Sequence, residues 1–218
     1  ILPEKLKRNV KCYALRGNLT KARIEKLTGR KQSCAIGDGG LLSNLLIKSS
    51  NVKKIYDLGV VPHYADAKNP IWNKLLSVNS NSILLDATLP PKEFLRQLCS
   101  CKTIVSTAMH PLIASDALGI PNLWIRISEE TTSRYKFEDY YSAYNLEKFP
   151  EAYMLSDDNY TAINAEFVLD NYKIPQEQVA EMQNTLKIAL ENLSRDIQME
   201  HPLIFLQKIF NNYILDRN

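Results

Sequence analysis

The residues best suited to chemistry in this chain are Arg16, Asp38, His63 and His110, and each stands just after a short apolar run. Arg16 closes the run 10–15 and precedes Gly17. A guanidinium there can bind a carboxylate or phosphate through two parallel hydrogen bonds, or pair with a neighbouring acid. Gly37-Asp38-Gly39-Gly40 follows the run 34–36. Its glycines let a ligand approach the backbone, and the helix start behind them can hold an anion. In the plainer reading Asp38 simply caps that helix. The spacing matches neither a Walker loop nor a dinucleotide fingerprint. His63 follows Val60-Val61-Pro62, and His110 opens a helix directly after a strand. Histidine exchanges a proton near neutral pH, so both suit a general acid or a phosphate ligand, although a lone histidine more often serves structure. Two of three histidines at the same sheet edge bring the site reading level with the structural one; the third, His201 before Pro202, reads as a helix-start residue. Met109, beside His110, and Ser128, after the last predicted strand, complete the candidate set as substrate-binding residues.

These positions coincide because of the elements that carry them. Short β-rich runs alternate with helical stretches from residue 10 to about 127. Strands are predicted over 10–15, 34–36, 55–61, 82–86, 103–106 and 123–127. Helices are predicted over 19–27, 39–47, 70–76, 91–99 and 110–118, with Gly29 and Gly119 as C-terminal stops. Strand, helix, strand in repetition implies right-handed crossovers and a doubly wound parallel α/β sheet, Rossmann-like, with helices on both faces. Ligands of such sheets bind outside the carboxyl ends of the strands, where all of these candidates fall. After residue 128 the pattern changes. A short aromatic helix over 137–144 is followed by helices at about 157–169, 176–197 and 202–215. The expected division is a Rossmann-like domain over 1–150 that carries the site, and a helical extension over 151–218. Lys136-Phe137-Glu138-Asp139-Tyr140-Tyr141 either lines an acceptor site with aromatics or packs them inside.

Composition removes other classes. The chain has 218 residues, 27 basic and 24 acidic, giving a net charge of +3. The charges are intermixed, so no nucleic-acid footprint is expected, while a small basic excess suits small anions. No apolar run reaches membrane-spanning length and no signal peptide opens the chain. Four cysteines without zinc or redox spacing indicate a reducing compartment. No metal-ligand cluster and no Gly-x-Ser-x-Gly elbow is present. The expected location is cytoplasmic, with peripheral attachment at the inner face of the membrane as a variant.

Five strings in order resemble the polysaccharide pyruvyl transferases. They are Ala14-Leu15-Arg16-Gly17-Asn18-Leu19-Thr20, Ile36-Gly37-Asp38-Gly39-Gly40, Gly59-Val60-Val61-Pro62-His63-Tyr64, Ser106-Thr107-Ala108-Met109-His110 with Ala114–Pro121, and Lys136–Tyr140. The Ala108-Met109-His110 variant is similar to the succinoglycan ketalase branch. The resemblance implies half of a GT-B-like fold and transfer of pyruvate from phosphoenolpyruvate, the co-substrate, to a sugar diol of a cell-surface polysaccharide, with no further cofactor and no metal. The acceptor would be a saccharide, free or lipid-linked. By resemblance His110 binds the donor or acts as general acid, Arg16 holds its carboxylate or phosphate, and His63 assists. The family's first Rossmann-like half would precede residue 10, so the chain is a piece of a longer protein, or a second copy or a partner supplies that half. Two other readings compete. One is a nucleotide-sugar glycosyltransferase of GT-B fold, with Glu129 or Glu130 on the ribose. The other is a degenerate, non-catalytic domain of polysaccharide biosynthesis.

Overall fold

A computed structural model describes residues 10–128 and 134–197. The chain forms two compact units that interleave in sequence. Within the described residues the first comprises 10–39, 134–149 and 180–197, and the second 40–128 and 150–179. The chain passes between them after residues 39, 133, 149 and 179.

The second unit holds a five-stranded parallel sheet. Its strands are β3 (Tyr56–Val61), β4 (Ser82–Leu84), β5 (Cys101–Ser106), β6 (Asn122–Arg126) and β7 (Tyr153–Met154), in spatial order β4-β3-β5-β6-β7. Its helices are α2 (Ile71–Val78), α3 (Pro91–Cys99), α4 (Met109–Ala117) and α6 (Ala165–Asn171). Successive strand residues point to opposite faces, so each strand feeds two cores. On one face Leu58, Val60, Val105 and Ile125 pack with Ile71, Trp72 and Leu75 of α2 and Val168 of α6. On the other, Val61, Cys101 and Ile104 pack with Leu95 and Leu98 of α3 and Ala114 and Leu118. The sheet is therefore covered on both sides, as the alternating pattern predicts.

Local chemistry sets the boundaries. Asn69 Oδ1 accepts the Ile71 amide at 2.9 Å and starts α2. Pro91 opens α3, where its missing donor costs nothing. Gly119 follows α4 at φ 66°, a left-handed conformation that favours glycine. Gly59 sits where a side chain would not fit: an added Cβ would lie 2.6 Å from Ile104 Cδ1 and 2.7 Å from Cys101 Sγ.

Three expectations change. The first two predicted strands do not join the main sheet; β1 (Ala14–Leu15) and β2 (Ala35–Ile36) form a separate parallel pair in the first unit. The stretch after residue 150 is not helix alone: β7 extends the sheet from β6, with the Leu155 amide on Arg126 O at 2.7 Å. The helix expected at about 157–169 is a 3-10 turn, Tyr160–Ala162, followed by α6. The first unit also holds α1 (Asn18–Thr28) and α5 (Arg134–Tyr141), while α7 (Gln176–Asp196) runs across the division at residue 179. The helix expected over 202–215 and His201 lie outside the described residues. No described helix is long and apolar enough to cross a membrane.

Candidate functional site

The strand order places a topological switch point between β3 and β5. From β3 the chain goes first to β4 on one side, then returns to β5 on the other. At such a point the two crossover helices leave on opposite faces and open a crevice beyond the carboxyl ends of the strands. Val61 and Ser106, the last residues of β3 and β5, are in register, and the chain leaves them into Pro62-His63 and Thr107–His110.

Hydrogen bonds tie these two exits together. Thr107 is buried, and its Oγ1 accepts the His63 amide at 2.7 Å. Ser106 Oγ donates to Val61 O at 2.7 Å and accepts the Ala108 amide at 3.0 Å. Two hydroxyls thus fix the backbone on both sides of the switch point. The Ala65 amide donates to His63 Nδ1 at 3.3 Å. A ring nitrogen that accepts carries no proton, so the neutral imidazole of His63 bears its hydrogen on Nε2.

His110 is exposed in the first turn of α4, and Met109 beside it is buried. The first amides of a helix lack intrahelical acceptors and carry its positive partial charge, so this end favours an anion. Pro111 is the third residue of α4 and is buried. Its absent donor is one of those orphan amides, and its fixed φ suits the first turn. Ser128 is half-buried beyond β6. At the end of β4, Thr88 donates its amide at 2.8 Å and its hydroxyl at 2.6 Å to Asp86 Oδ1, which holds that carboxyl below its usual range.

The remaining candidates belong to the first unit. Leu15 of β1 pairs with Ile36 of β2, so Arg16 and Gly37-Asp38 leave the same end of that pair. Gly37 adopts φ 146°, which side chains rarely take, and donates its amide to Leu15 O at 2.9 Å. The helix expected after Asp38 is a 3-10 stretch, Gly39–Leu45, and open space surrounds the position of a Gly39 Cβ. Arg16 does not stand unpaired: its Nε donates to Asp139 Oδ2 at 2.9 Å. Asp139 is fully buried and also accepts the Thr20 amide and hydroxyl, each at 2.7 Å. A residue of α5 therefore caps the start of α1. Gly17 makes that approach possible, because a Cβ there would lie 1.6 Å from the Asp139 carbonyl oxygen.

The sequence reading missed Thr107 and Ser106 as anchors, and Asp139 as the partner of Arg16. Asp139 stood within a quoted motif, but its partner lies 123 residues away, beyond the reach of local spacing. The aromatics of the same motif pack inside: Phe137, Tyr140 and Tyr141 are buried. Glu129 and Glu130 lie outside the described residues. Among the described residues no cluster of histidine, cysteine and carboxylate could hold a metal ion.

A parallel sheet wound on both faces, with two histidines beyond the strands that flank its switch point, defines an α/β domain of the Rossmann-like class. A model of the polysaccharide pyruvyl transferase family matches residues 4–129, more than half of the 218, and the chain belongs to that family. An uncharacterized protein of Acanthamoeba polyphaga mimivirus is 29% identical over 143 residues, 63% of this chain and 49% of that relative. The chain thus spans about half the length of this curated relative. No solved structure matches it.

Proposed function

We propose that this protein transfers pyruvate from phosphoenolpyruvate to a sugar diol, and that the β3–β5 switch point binds the donor. The observation that carries the reading is the pair of histidines leaving the two strands that flank the switch point, in a chain of this family. Phosphoenolpyruvate presents a phosphate and a carboxylate, both suited to helix amides and imidazole N–H groups. His63 is the fixed donor of the pair, since its Nδ1 already accepts the Ala65 amide and its Nε2–H can bond a phosphate oxygen. His110, exposed in the first turn of α4, is the proton carrier.

The reaction then follows from the donor's chemistry. The His110 imidazolium gives a proton to the methylene carbon, which becomes a methyl group, and positive charge develops at the neighbouring carbon. One acceptor hydroxyl attacks that carbon. The C–O bond to phosphate breaks with its electron pair on the phosphate, and the second hydroxyl closes the ketal. Two hydroxyl protons balance the sum: one replaces the proton His110 gave, and the other leaves with inorganic phosphate. Nothing is oxidised or reduced. General acid catalysis of this kind contributes roughly 10²–10⁴-fold.

Arg16, Asp38 and Gly39 remain proposals for anion binding on the first unit, where the Nη atoms of Arg16 make no hydrogen bond among the described residues. The test is to incubate the intact protein with phosphoenolpyruvate and a saccharide bearing free vicinal or 4,6-hydroxyls, and to follow phosphate and ketal together. Equal release of phosphate and formation of ketal supports the reading. Phosphate without ketal, or neither product with any acceptor, contradicts it.

A further inference from the structure

We infer that Tyr64 is the platform on which the acceptor sugar stacks, an inference that takes the acceptor's class from the pyruvyl-transfer reading above. Tyr64 is 66% exposed, the most exposed large apolar side chain among the described residues. A single exposed aromatic needs no explanation in general. This one stands beyond the carboxyl end of β3, and its ring lies against His63 with centroids 4.3 Å apart and planes tilted by 40°.

The segment that carries it is tied down. The Asp66 amide bonds His63 O at 2.8 Å, the Asn69 amide bonds Asp66 O at 2.9 Å, and buried Trp72 donates its indole N–H to Asp66 O at 2.6 Å. The ring is therefore presented on a hydrogen-bonded turn anchored to α2, beside the histidine assigned to the donor, with most of its surface open. Chemistry selects the occupant. A pyranose gathers C–H groups on one face and hydroxyls at its rim, and an aromatic ring offers the matching flat surface while its phenol stays wet. A 4,6-diol stacked there closes a six-membered ketal. Of the aromatics of α5, Phe137, Tyr140 and Tyr141 are buried and offer no such surface, and Tyr135 is 40% exposed against 66% for Tyr64.

The test is saturation-transfer NMR of the intact protein with methyl glucoside, methyl galactoside and methyl mannoside, each with free 4- and 6-hydroxyls. Tyr64→Ala, Tyr64→Phe and Tyr64→Trp are compared with the parent, with melting temperatures checked and phosphoenolpyruvate titrated separately. The expected result is saturation of ring C–H protons on one face, and sugar binding weakened roughly tenfold in Tyr64→Ala but retained in Tyr64→Phe and Tyr64→Trp, the two variants that keep a ring against His63 and hold donor affinity within about twofold. Parent-like sugar binding by Tyr64→Ala, or no binding of any hexopyranoside by the parent, overturns the inference. Sugar binding that depends on Tyr64 in a protein deaf to phosphoenolpyruvate would support the platform and sink the pyruvyl-transfer reading instead.

Discussion

Removing Asp139 should loosen the first unit more than any other single truncation of a polar side chain there. Its carboxylate is fully buried and accepts three hydrogen bonds, from Arg16 Nε, the Thr20 amide and the Thr20 hydroxyl. Asp139→Ala leaves all three donors without an acceptor and removes the cap of α1. Breaking a buried ion pair costs about 3–5 kcal/mol. The Arg16 side chain is 26% exposed and can recover part of its hydration, which places the loss near the lower end, about 3 kcal/mol. Asp139→Asn keeps one acceptor oxygen and should lose only about 1–2 kcal/mol. Tryptophan fluorescence reports on the second unit, since Trp72 and Trp124 both lie there. Amide hydrogen exchange over α1 is therefore the assay. A loss of about 3 kcal/mol accelerates exchange roughly 100-fold in Asp139→Ala, with Asp139→Asn in between. Unchanged exchange over α1 in Asp139→Ala would refute the capping argument and free Arg16 for another role.

Further outcomes follow from the second unit. Gly59→Ala pushes a methyl group into Ile104 and Cys101 and should cost about 1–3 kcal/mol in urea unfolding followed by tryptophan fluorescence. Thr107→Val removes the acceptor of the His63 amide and should cost about 1–3 kcal/mol and weaken donor binding, whereas Thr107→Ser should restore both; calorimetry and melting curves check this. Burial pushes the Cys101 thiol up to about 11 and the Cys99 thiol upward as well, so neither should alkylate in the native protein at mildly alkaline pH, as peptide mass mapping would read. The sign for stability follows: the thiol's contribution is complete below the unfolded value of 9.0 and is lost as pH rises through about 11. Urea midpoints of the parent and Cys101→Ala should therefore converge across that alkaline window.

Much of the fold was legible because its signals are local. The β3, α3, β5 and α4 segments carry apolar runs of strand length, a proline-opened helix and a glycine stop at Gly119, and the structure places them within a residue or two of expectation. What failed was non-local. Two-residue strands such as β1, β2 and β7 have no period to read, and only pairing defines them. The motif order therefore suggested one sheet edge where the structure has a five-stranded sheet and a separate pair. The histidines were legible as residues beyond one sheet edge, but the link between the two strand exits that carry them was not. It depends on the register of Val61 with Ser106 and on a hydroxyl of Thr107, which an ordinary Ser-Thr pair in the sequence does not announce. Tyr64 was equally silent, because exposure is a property of the folded turn.

The most direct test of the switch-point assignment is calorimetric titration of phosphoenolpyruvate into the parent, His63→Ala and His110→Ala, with a UDP-sugar titrated alongside. The assignment predicts that the parent binds phosphoenolpyruvate and that each histidine variant, folded as the parent, binds it roughly tenfold or more weakly. Parent-like affinity in both variants, or binding of the UDP-sugar alone, would contradict it.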